Sequence, residues 1–512
     1  MVRLITIGPP IAVGLIAFAL VARGLQPGLA FWDTAELQVV APLMGTAHPT
    51  GFPTYVLLGW LASVLLQPFG EPAFRMNLFS AICVAVAAGV TVDLVRVLTR
   101  SRWIGAVAGL GLVLTPQVWV IGTHAEAHSL HLALLAILLR LLVGWEDRRR
   151  APPDDPRRER ADRWLVAATV VFALAVGNHS LTLLLVPAIA VYVIAVEPGI
   201  VRRVRLVATC LAALAVTLLV VYLELPLRAG PFRAPLVYGQ PDTWNGFRYI
   251  VLAEQFRGSV ENPFGNLDAK LVDLVGRTAR EFGLLAVLIP FGFLVTAIRR
   301  PRYSLLSGIS VGLTVFFAAS YDNAAIERYY LGPILIGWTW LAILVAAVVD
   351  GLARARVLRH VGDWHPLVRP VAVGVLAVGI LLGPALLDFS DRARAADRSR
   401  DTIAQRWLDR VVDVLEPDAV VVSWWSYSTP LWYGKHIQGR LPGVDIIDDR
   451  TRLDEDLGSP ADVVNRFLGG RPVYVIRLDD WRDLEEEFVI EPVPMPMPES
   501  LSRVVGRRED AT

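Results

Sequence analysis

The amino-acid sequence predicts an α-helical polytopic membrane protein with about eleven spans and a re-entrant juxtamembrane helix, followed by a small C-terminal α/β soluble domain. Three observations carry that prediction. Of 512 residues, 54% are hydrophobic and the mean hydropathy is +0.50, which sets the chain apart from a soluble protein of this length. Charged residues make up 19%, below the roughly 25% of soluble domains, and they fall as short arginine clusters between long apolar runs. From position 388 the long apolar runs give way to short, strand-like ones. Because the arginines punctuate apolar segments and build no single basic face, nucleic acid is excluded as a partner. The only cysteines, Cys83 and Cys210, each lie inside an apolar run, which excludes a disulfide scaffold and a cysteine zinc site. Lys270 and Lys435 are the only lysines among 49 basic residues, a bias that reads as a GC-rich bacterial genome and not as function.

Taken in order, the first apolar run, 4–22, has no clear cleavage site behind it and reads as an anchor in preference to a cleaved signal peptide. Further candidate spans fall at 77–95, 103–121, 127–144, 164–178, 180–196, 205–225, 282–298, 303–320, 329–350 and 367–387. The stretch 52–66 is short, opens at Pro53 and stops before Pro68, so by itself it fits a span or a re-entrant helix. Arginine parity decides. With the N-terminus inside and 52–66 not crossing, 20 arginines fall in the short inside segments, against Arg23, Arg75 and Arg328 outside. A crossing would invert nearly all of them, against the positive-inside rule. This topology gives a transmembrane region, 1–387, and an extracytoplasmic domain, 388–512. It also places 23–76, the turns near 122–128 and 320–328, and the loop 226–280 outside. The proline-rich, charged stretch 146–163 reads as a flexible inside linker. In the tail, the runs 419–423, 444–447 and 473–476 predict short buried strands.

The residues able to do chemistry gather on the outer side. The strongest group is Phe31-Trp32-Asp33-Thr34-Ala35-Glu36, then His48-Pro49-Thr50-Gly51-Phe52-Pro53, then Arg75-Met76-Asn77. Asp33 and Glu36 are three apart and share one face of a helix. Two carboxylates at a membrane surface suit the holding and deprotonation of an acceptor hydroxyl, as glycosyl transfer to an alcohol requires. The structural alternative is a helix cap of the Asp-x-x-Glu kind. His48, beside a proline- and glycine-broken backbone, faces a phosphate or a sugar, or else is an interfacial histidine satisfied by backbone.

His124, Glu126 and His128 occupy the turn before one span, and Asn178 and His179 join two short apolar runs in a turn recessed toward the membrane. His124 and His128 have the i, i+4 spacing of a metal pair with Glu126 between them. A divalent metal is therefore an option, but no matching third ligand is evident, and a polar cap on the helix is the preferred reading. Arg328-Tyr329-Tyr330 opens a late span. Its guanidinium is suited to a lipid-linked phosphate, with Tyr330 beside it, or to a snorkelling place in an interface belt. Arg75 and His179 are further candidates for the phosphate. In the tail, Trp424-Trp425 and Trp432-Tyr433 suit either sugar stacking or a packed core.

Together these motifs resemble a family of polytopic membrane proteins, long filed as a domain of unknown function, that includes a human protein O-mannosyltransferase acting on plexin-type receptors. The likeness lies in Asp33-Thr-Ala-Glu36, His48-Pro-Thr-Gly-Phe-Pro53, Arg75-Met-Asn77, Ala125-Glu126-Ala127-His128, Gly177-Asn178-His179 and Tyr222-Leu-Glu-Leu-Pro226-Leu-Arg228. It implies the C-type glycosyltransferase fold and a polyprenyl-phosphate sugar donor reached from the membrane. It further implies Asp33 as catalytic base, Glu36 as its partner or a sugar contact, and Arg328 near the lipid phosphate. The expectation is thus an inverting glycosyltransferase moving a sugar, with mannose as the candidate, to a hydroxyl of an extracytoplasmic protein or glycan. The alternative from another class is a non-catalytic transporter or lipid flippase with a polar central cavity. Its mark would be charged residues at mid-span, and only Asp93 and Arg140 lie inside span-like runs.

Overall fold

The computed structural model describes residues 2–322, 325–354, 368–476, 482–495 and 500–508. Every predicted span is helical over most of its described residues, with a break at 114–115 inside 103–121. By length and composition, six helices among those residues are able to cross a membrane, and a seventh is added if the bent pair Ala372–Leu387 and Phe389–Ala396 is one span. The runs at 4–22, 103–121 and 180–196 give shorter apolar helices. Proline explains where many helices begin. Pro53, Pro72, Pro116, Pro187, Pro290 and Pro301 each stand in a first turn, where the missing N–H costs nothing and the fixed φ suits the helix.

The bundle is built on α1 (Val2–Ala22), α4 (Pro72–Thr99), α5 (Arg102–Val113) and α7 (Ala127–Arg149), with α1, α5 and α7 all packed on α4. Two short helices, α2 (Trp32–Leu43) and the apolar α3 (Pro53–Leu65), lie between α1 and α4 in the chain, and α6 (Pro116–Ile121) completes the turn before α7. The arginine-rich segments meet at one end of the bundle. Arg300 donates to the carbonyl of Leu98 at 2.6 Å, Arg302 to that of Ala195 at 2.9 Å, Arg299 pairs with Asp350 at 2.6 Å and Arg203 with Asp162 at 2.5 Å. At the opposite end, Arg398 N–H donates to the Gly24 carbonyl at 3.0 Å and Gln26 N–H to that of Thr123 at 2.9 Å. The helix α3 begins and ends at this second end. The ring of His48, just before it, lies 5.3 Å from Trp425, and beyond its far end the Ala73 N–H donates to Tyr433 Oη at 3.2 Å. Both partners belong to one short stretch of the C-terminal domain, so α3 folds back and does not cross.

The C-terminal domain holds a five-stranded sheet in the order β2-β1-β3-β5-β4, with β1 (Val420–Val422), β2 (Asp445–Ile447), β3 (Val473–Ile476), β4 (Phe488–Val493) and β5 (Leu501–Arg507). The first three are parallel, and β5 beside β3 and then β4 at the edge extend the sheet antiparallel. The three predicted strands are β1 to β3; β4 and β5 were not foreseen. One face of the sheet packs on the helices Ile403–Val414 and Trp425–Trp432. This core is continuous with Leu29, Ala35, Val39 and Ala73 of the membrane region.

Candidate functional site

The helix α2 starts at Trp32 with Phe31 as its cap residue and no side-chain cap bond, so Asp33 does not cap the helix. It stands in the first turn, where the helix dipole favours a carboxylate. The entry to α2 is fixed by Gln38, buried, whose Oε1 accepts from Ala30 N–H at 3.0 Å and whose Nε2 donates to Asn77 Oδ1 at 2.8 Å. Asn77 also donates to the carbonyls of Gln26 and Gly28 at 2.9 and 3.1 Å, and accepts from Ala125 N–H at 2.8 Å. One amide thereby ties the loop 23–31, α4 and the turn before α7 into one frame.

That frame places Asp33 against the turn 122–126. Arg328, in the short 3₁₀ segment Ile326–Tyr330, donates through Nη1 to Asp33 Oδ2 at 2.9 Å and lies with Nε 3.1 Å from Glu126 Oε2. Glu126 also caps α7, accepting from His128 N–H at 3.1 Å and pairing with His128 Nδ1 at 2.8 Å. Burial opposes its charge, but the Arg328 guanidinium and the neighbouring histidines outweigh this and hold the carboxyl well below the usual carboxylate range. Asp33 keeps Oδ1 and Arg328 keeps Nη2 without a partner among the described residues.

Glu36, one turn along α2, has a different environment. It is fully buried. Its Oε1 accepts from His48 N–H at 3.1 Å, from Trp425 Nε1 at 3.1 Å and from Arg450 Nη2; its Oε2 pairs with His48 Nδ1. Burial disfavours charge on His48, yet the Glu36 carboxylate beside it prevails and raises its pKa above the ordinary imidazole value. The loop 48–52 is shaped by Gly51 at φ 79°, where an added Cβ would lie 2.9 Å from Ile250, and by Phe52 at φ 46°.

A cavity of about 300 Å³ opens between these groups. Asp33, His48, His128, His179, Arg328 and Tyr329 supply its polar wall, and Leu184, Leu252, Phe256, Val260 and Phe317 an apolar one. The structure therefore brings together Asp33, His48, His128, His179 and Arg328, with Glu126 immediately behind. Three of the expected site residues lie elsewhere. Glu36 is enclosed by its four donors. Arg75 is spent on the carbonyls of Gly70 and Ser63, each at 2.7 Å, and borders a separate groove with Asp401 and Gln438. Tyr330 turns away toward Arg277, whose guanidinium stands 5.8 Å from its ring. Its neighbour Tyr329 is the cavity residue, stacked with Tyr321 at 5.6 Å and with His128 at 5.8 Å.

Sequence reasoning missed several further groups. His131 lies three residues after His128 on the same face of α7, with its ring 5.8 Å from that of His179; the i, i+3 spacing was the available signal. Arg257, paired with Glu254 at 3.0 Å, reaches the cavity rim from the short 3₁₀ segment Glu254–Ser259. Arg450 carries no local signal at all. Among the described residues no group of three or more histidine, cysteine or acidic side chains is placed to hold a metal. The alternative of a His124–His128 metal pair finds no third ligand among the described residues, and Glu126 between them caps α7 and pairs with His128 Nδ1, as the polar-cap reading has it.

The resemblance suggested by the motifs holds over a defined stretch. Residues 33–199 match the model of the protein O-mannosyl-transferase TMEM260 N-terminal domain. Mouse protein O-mannosyl-transferase TMEM260 is 28% identical over 435 residues, 81% of this chain and 59% of the mouse protein. Its Dictyostelium discoideum counterpart is 26% identical over 168 residues, 31% of this chain and 20% of that protein. The chain thus spans less than two thirds of the length of these relatives. Among solved structures, ArnT from Cupriavidus metallidurans bound to undecaprenyl phosphate aligns with a TM-score of 0.61 at 16% identity, over 96% of this chain and 97% of that one. AglB from Archaeoglobus fulgidus, in complex with an inhibitory peptide and a dolichol-phosphate, aligns with a TM-score of 0.53 at 13% identity, over 98% and 74%. The fold is the C-type glycosyltransferase fold, a multi-pass membrane bundle with a C-terminal α/β domain.

Proposed function

We propose that this chain is a membrane glycosyltransferase that moves a sugar, with mannose as the first candidate, from a polyprenyl-phosphate donor to a hydroxyl of an extracytoplasmic protein or glycan. The single observation that carries the reading is Asp33, with Oδ1 free at a 300 Å³ cavity and Oδ2 held by Arg328 at 2.9 Å. In the reaction the acceptor hydroxyl gives its proton to Asp33 Oδ1. Its oxygen attacks the anomeric carbon from the face opposite the phosphate, the bond from that carbon to the phosphate oxygen breaks, and the configuration inverts. Phosphate leaves without acid help, so a weak base beside an arginine suffices, and Arg328 Nη2 with His48 balances the phosphate charge. The apolar wall gives the lipid tail a path to the cavity. Glu36 acts behind His48 and not on the acceptor.

The topology that goes with this reading puts the site end, with 388–512, outside the plasma membrane and the arginine end inside. The convergence of the arginine segments on one end supports it. The transporter reading has less support, because Asp93 and Arg140 satisfy each other at 2.5 Å, with Arg96 on the same carboxylate, and line none of the cavities described. The test is transfer of mannose from synthetic polyprenyl-phosphate mannose by the purified protein, beside Asp33→Asn. That variant keeps the shape of the side chain and loses the base. Equal turnover by the two proteins would remove Asp33 from the mechanism, and no turnover by the wild type with any polyprenyl-phosphate sugar would remove the class.

A further inference from the structure

We propose that Arg450, contributed by the C-terminal domain, is a positioning residue of this site: it fills one oxygen of Glu36, so that the other oxygen is reserved for His48 and fixes the imidazole at the cavity. The inference rests on the glycosyl-transfer reading above and extends it to a residue 414 positions away from its partner.

The geometry divides the Glu36 carboxylate into two halves. Three donors, Arg450 Nη2, Trp425 Nε1 and His48 N–H, converge on Oε1. Among the described residues only His48 Nδ1 meets Oε2. A carboxylate with both oxygens open lets an imidazole slide between them; one with Oε1 filled offers a single seat. With Nδ1 in that seat, Nε2 is the nitrogen left for the cavity that His48 lines.

Arg450 is itself held in place. It sits in the first turn of the helix Asp449–Asp454, whose cap residue Asp448 accepts from Thr451 N–H at 2.8 Å. Its guanidinium lies 4.1 Å from the Tyr238 ring, 5.0 Å from Trp425 and 5.2 Å from Trp432. Tyr238 belongs to the outer loop of the membrane region, and the adjacent Gly239 N–H donates to Asp454 at 2.9 Å. Three segments far apart in sequence therefore close on one cation, 7% exposed, opposite a carboxylate with no exposure.

Docking alone does not call for this arrangement. An apolar residue among three aromatic rings would join the two regions without burying a charge, and burying an ion pair costs more than packing side chains of similar volume. What the charge adds is direction at Glu36. The C-terminal domain is then part of the site and not only a platform for the acceptor.

The experiment is a double-mutant cycle on the full-length protein. Arg450→Met fills the aromatic pocket and removes the donor, and His48→Gln removes the ring. Arg450→Met should lower kcat about 10- to 100-fold, the factor for one charge-assisted bond, with the donor KM nearly unchanged. Arg450→Lys should recover part of the loss. In the His48→Gln background the same substitution should cost less than about twofold, because the ring it positions is gone. A full 10- to 100-fold loss in both backgrounds would make Arg450 a docking residue only. If Arg450→Met does not fold, Trp425→Phe removes a donor from the same oxygen and is read through the same cycle.

A second readout needs no donor and separates this idea from the catalytic one. The pH dependence of His48 carbethoxylation, followed by mass spectrometry, reports the ring directly. Glu36 and Asp33 favour its charged form and Arg450 opposes it, so the midpoint should move upward in Arg450→Met. An unmoved midpoint would overturn the coupling even if transfer is confirmed, and a moved one would support it even if transfer is not.

Discussion

Replacing Arg328 tests the centre of the site, because the residue has two partners at bonding distance and a free nitrogen at the cavity. Nη1 meets Asp33 at 2.9 Å and Nε meets Glu126 at 3.1 Å. A lysine keeps the charge but has one nitrogen for two carboxylates. It therefore loses one charge-assisted bond, about 1.5–3 kcal/mol, with the lower part of that range favoured because Asp33 is a third exposed. In rate or donor affinity this is roughly 10- to 150-fold. Methionine removes both bonds and leaves Glu126 buried with only histidine beside it, the situation in which breaking a pair costs about 3–5 kcal/mol. The assay is kcat and donor KM for wild type, Arg328→Lys and Arg328→Met in one detergent, with thermal melts from pH 5 to 8.

The melts carry a sign as well as a size. In the wild type the Glu126 carboxyl lies below its unfolded value, so the stability it contributes is complete above that value and is lost only as the pH falls toward strong acid. Without Arg328, one of the groups that oppose burial is gone and the carboxyl rises from its depressed value. The loss of stability on acidification should then begin at a higher pH than in the wild type. A lysine variant with unchanged kinetics, and a methionine variant with the wild-type pH slope, would reduce Arg328 to an interface anchor. The search for the phosphate ligand would then pass to His48 or Arg257.

Three further outcomes follow from the same geometry. Asn77→Leu should lower the melting temperature sharply and destabilise the frame by about 2–5 kcal/mol, since buried partners on three segments lose their bonds at once; a loss no larger than that of an exposed residue would show that the frame does not depend on it. Tyr329→Ala should weaken donor use at least fivefold while Tyr330→Ala leaves it nearly intact, measured as donor KM; the reverse order would put the cavity on the other side of the 3₁₀ turn. Single cysteines at Asp154 and Glu455 should react with a membrane-impermeant maleimide from opposite sides of intact cells, the former only after permeabilisation. Labelling of both from one side would break the arginine parity.

What was legible and what was not separates along one physical line. The apolar helices and the strands β1 to β3 announce themselves through local period and composition, and the non-crossing of α3 through the arginine parity of the whole chain. The pairing of Asp33 with Glu36 on one face is local as well, because i, i+3 spacing is a property of the helix alone. The division of labour between the two carboxylates is not local. It depends on Arg328 approaching one and Arg450 the other, 295 and 414 residues along the chain. The exchange of Tyr330 for Tyr329 has a different cause. Both tyrosines adjoin Arg328 in sequence, and only the path of the 3₁₀ segment Ile326–Tyr330 decides that Tyr329 lines the cavity. The strands β4 and β5 carry no such local signal, because the prolines at 492, 494, 496 and 498 run from the end of β4 toward β5 and obscure their alternation. Arg75 illustrates the converse, a conspicuous cation whose bonds are all to backbone carbonyls of the turn it closes. A charged residue in an outer loop therefore becomes a site residue only when its partners leave a polar atom facing the cavity. By that criterion Asp33, Arg328 and His48 are the candidates at the cavity, while Glu36 and Arg450 are bound to each other behind them.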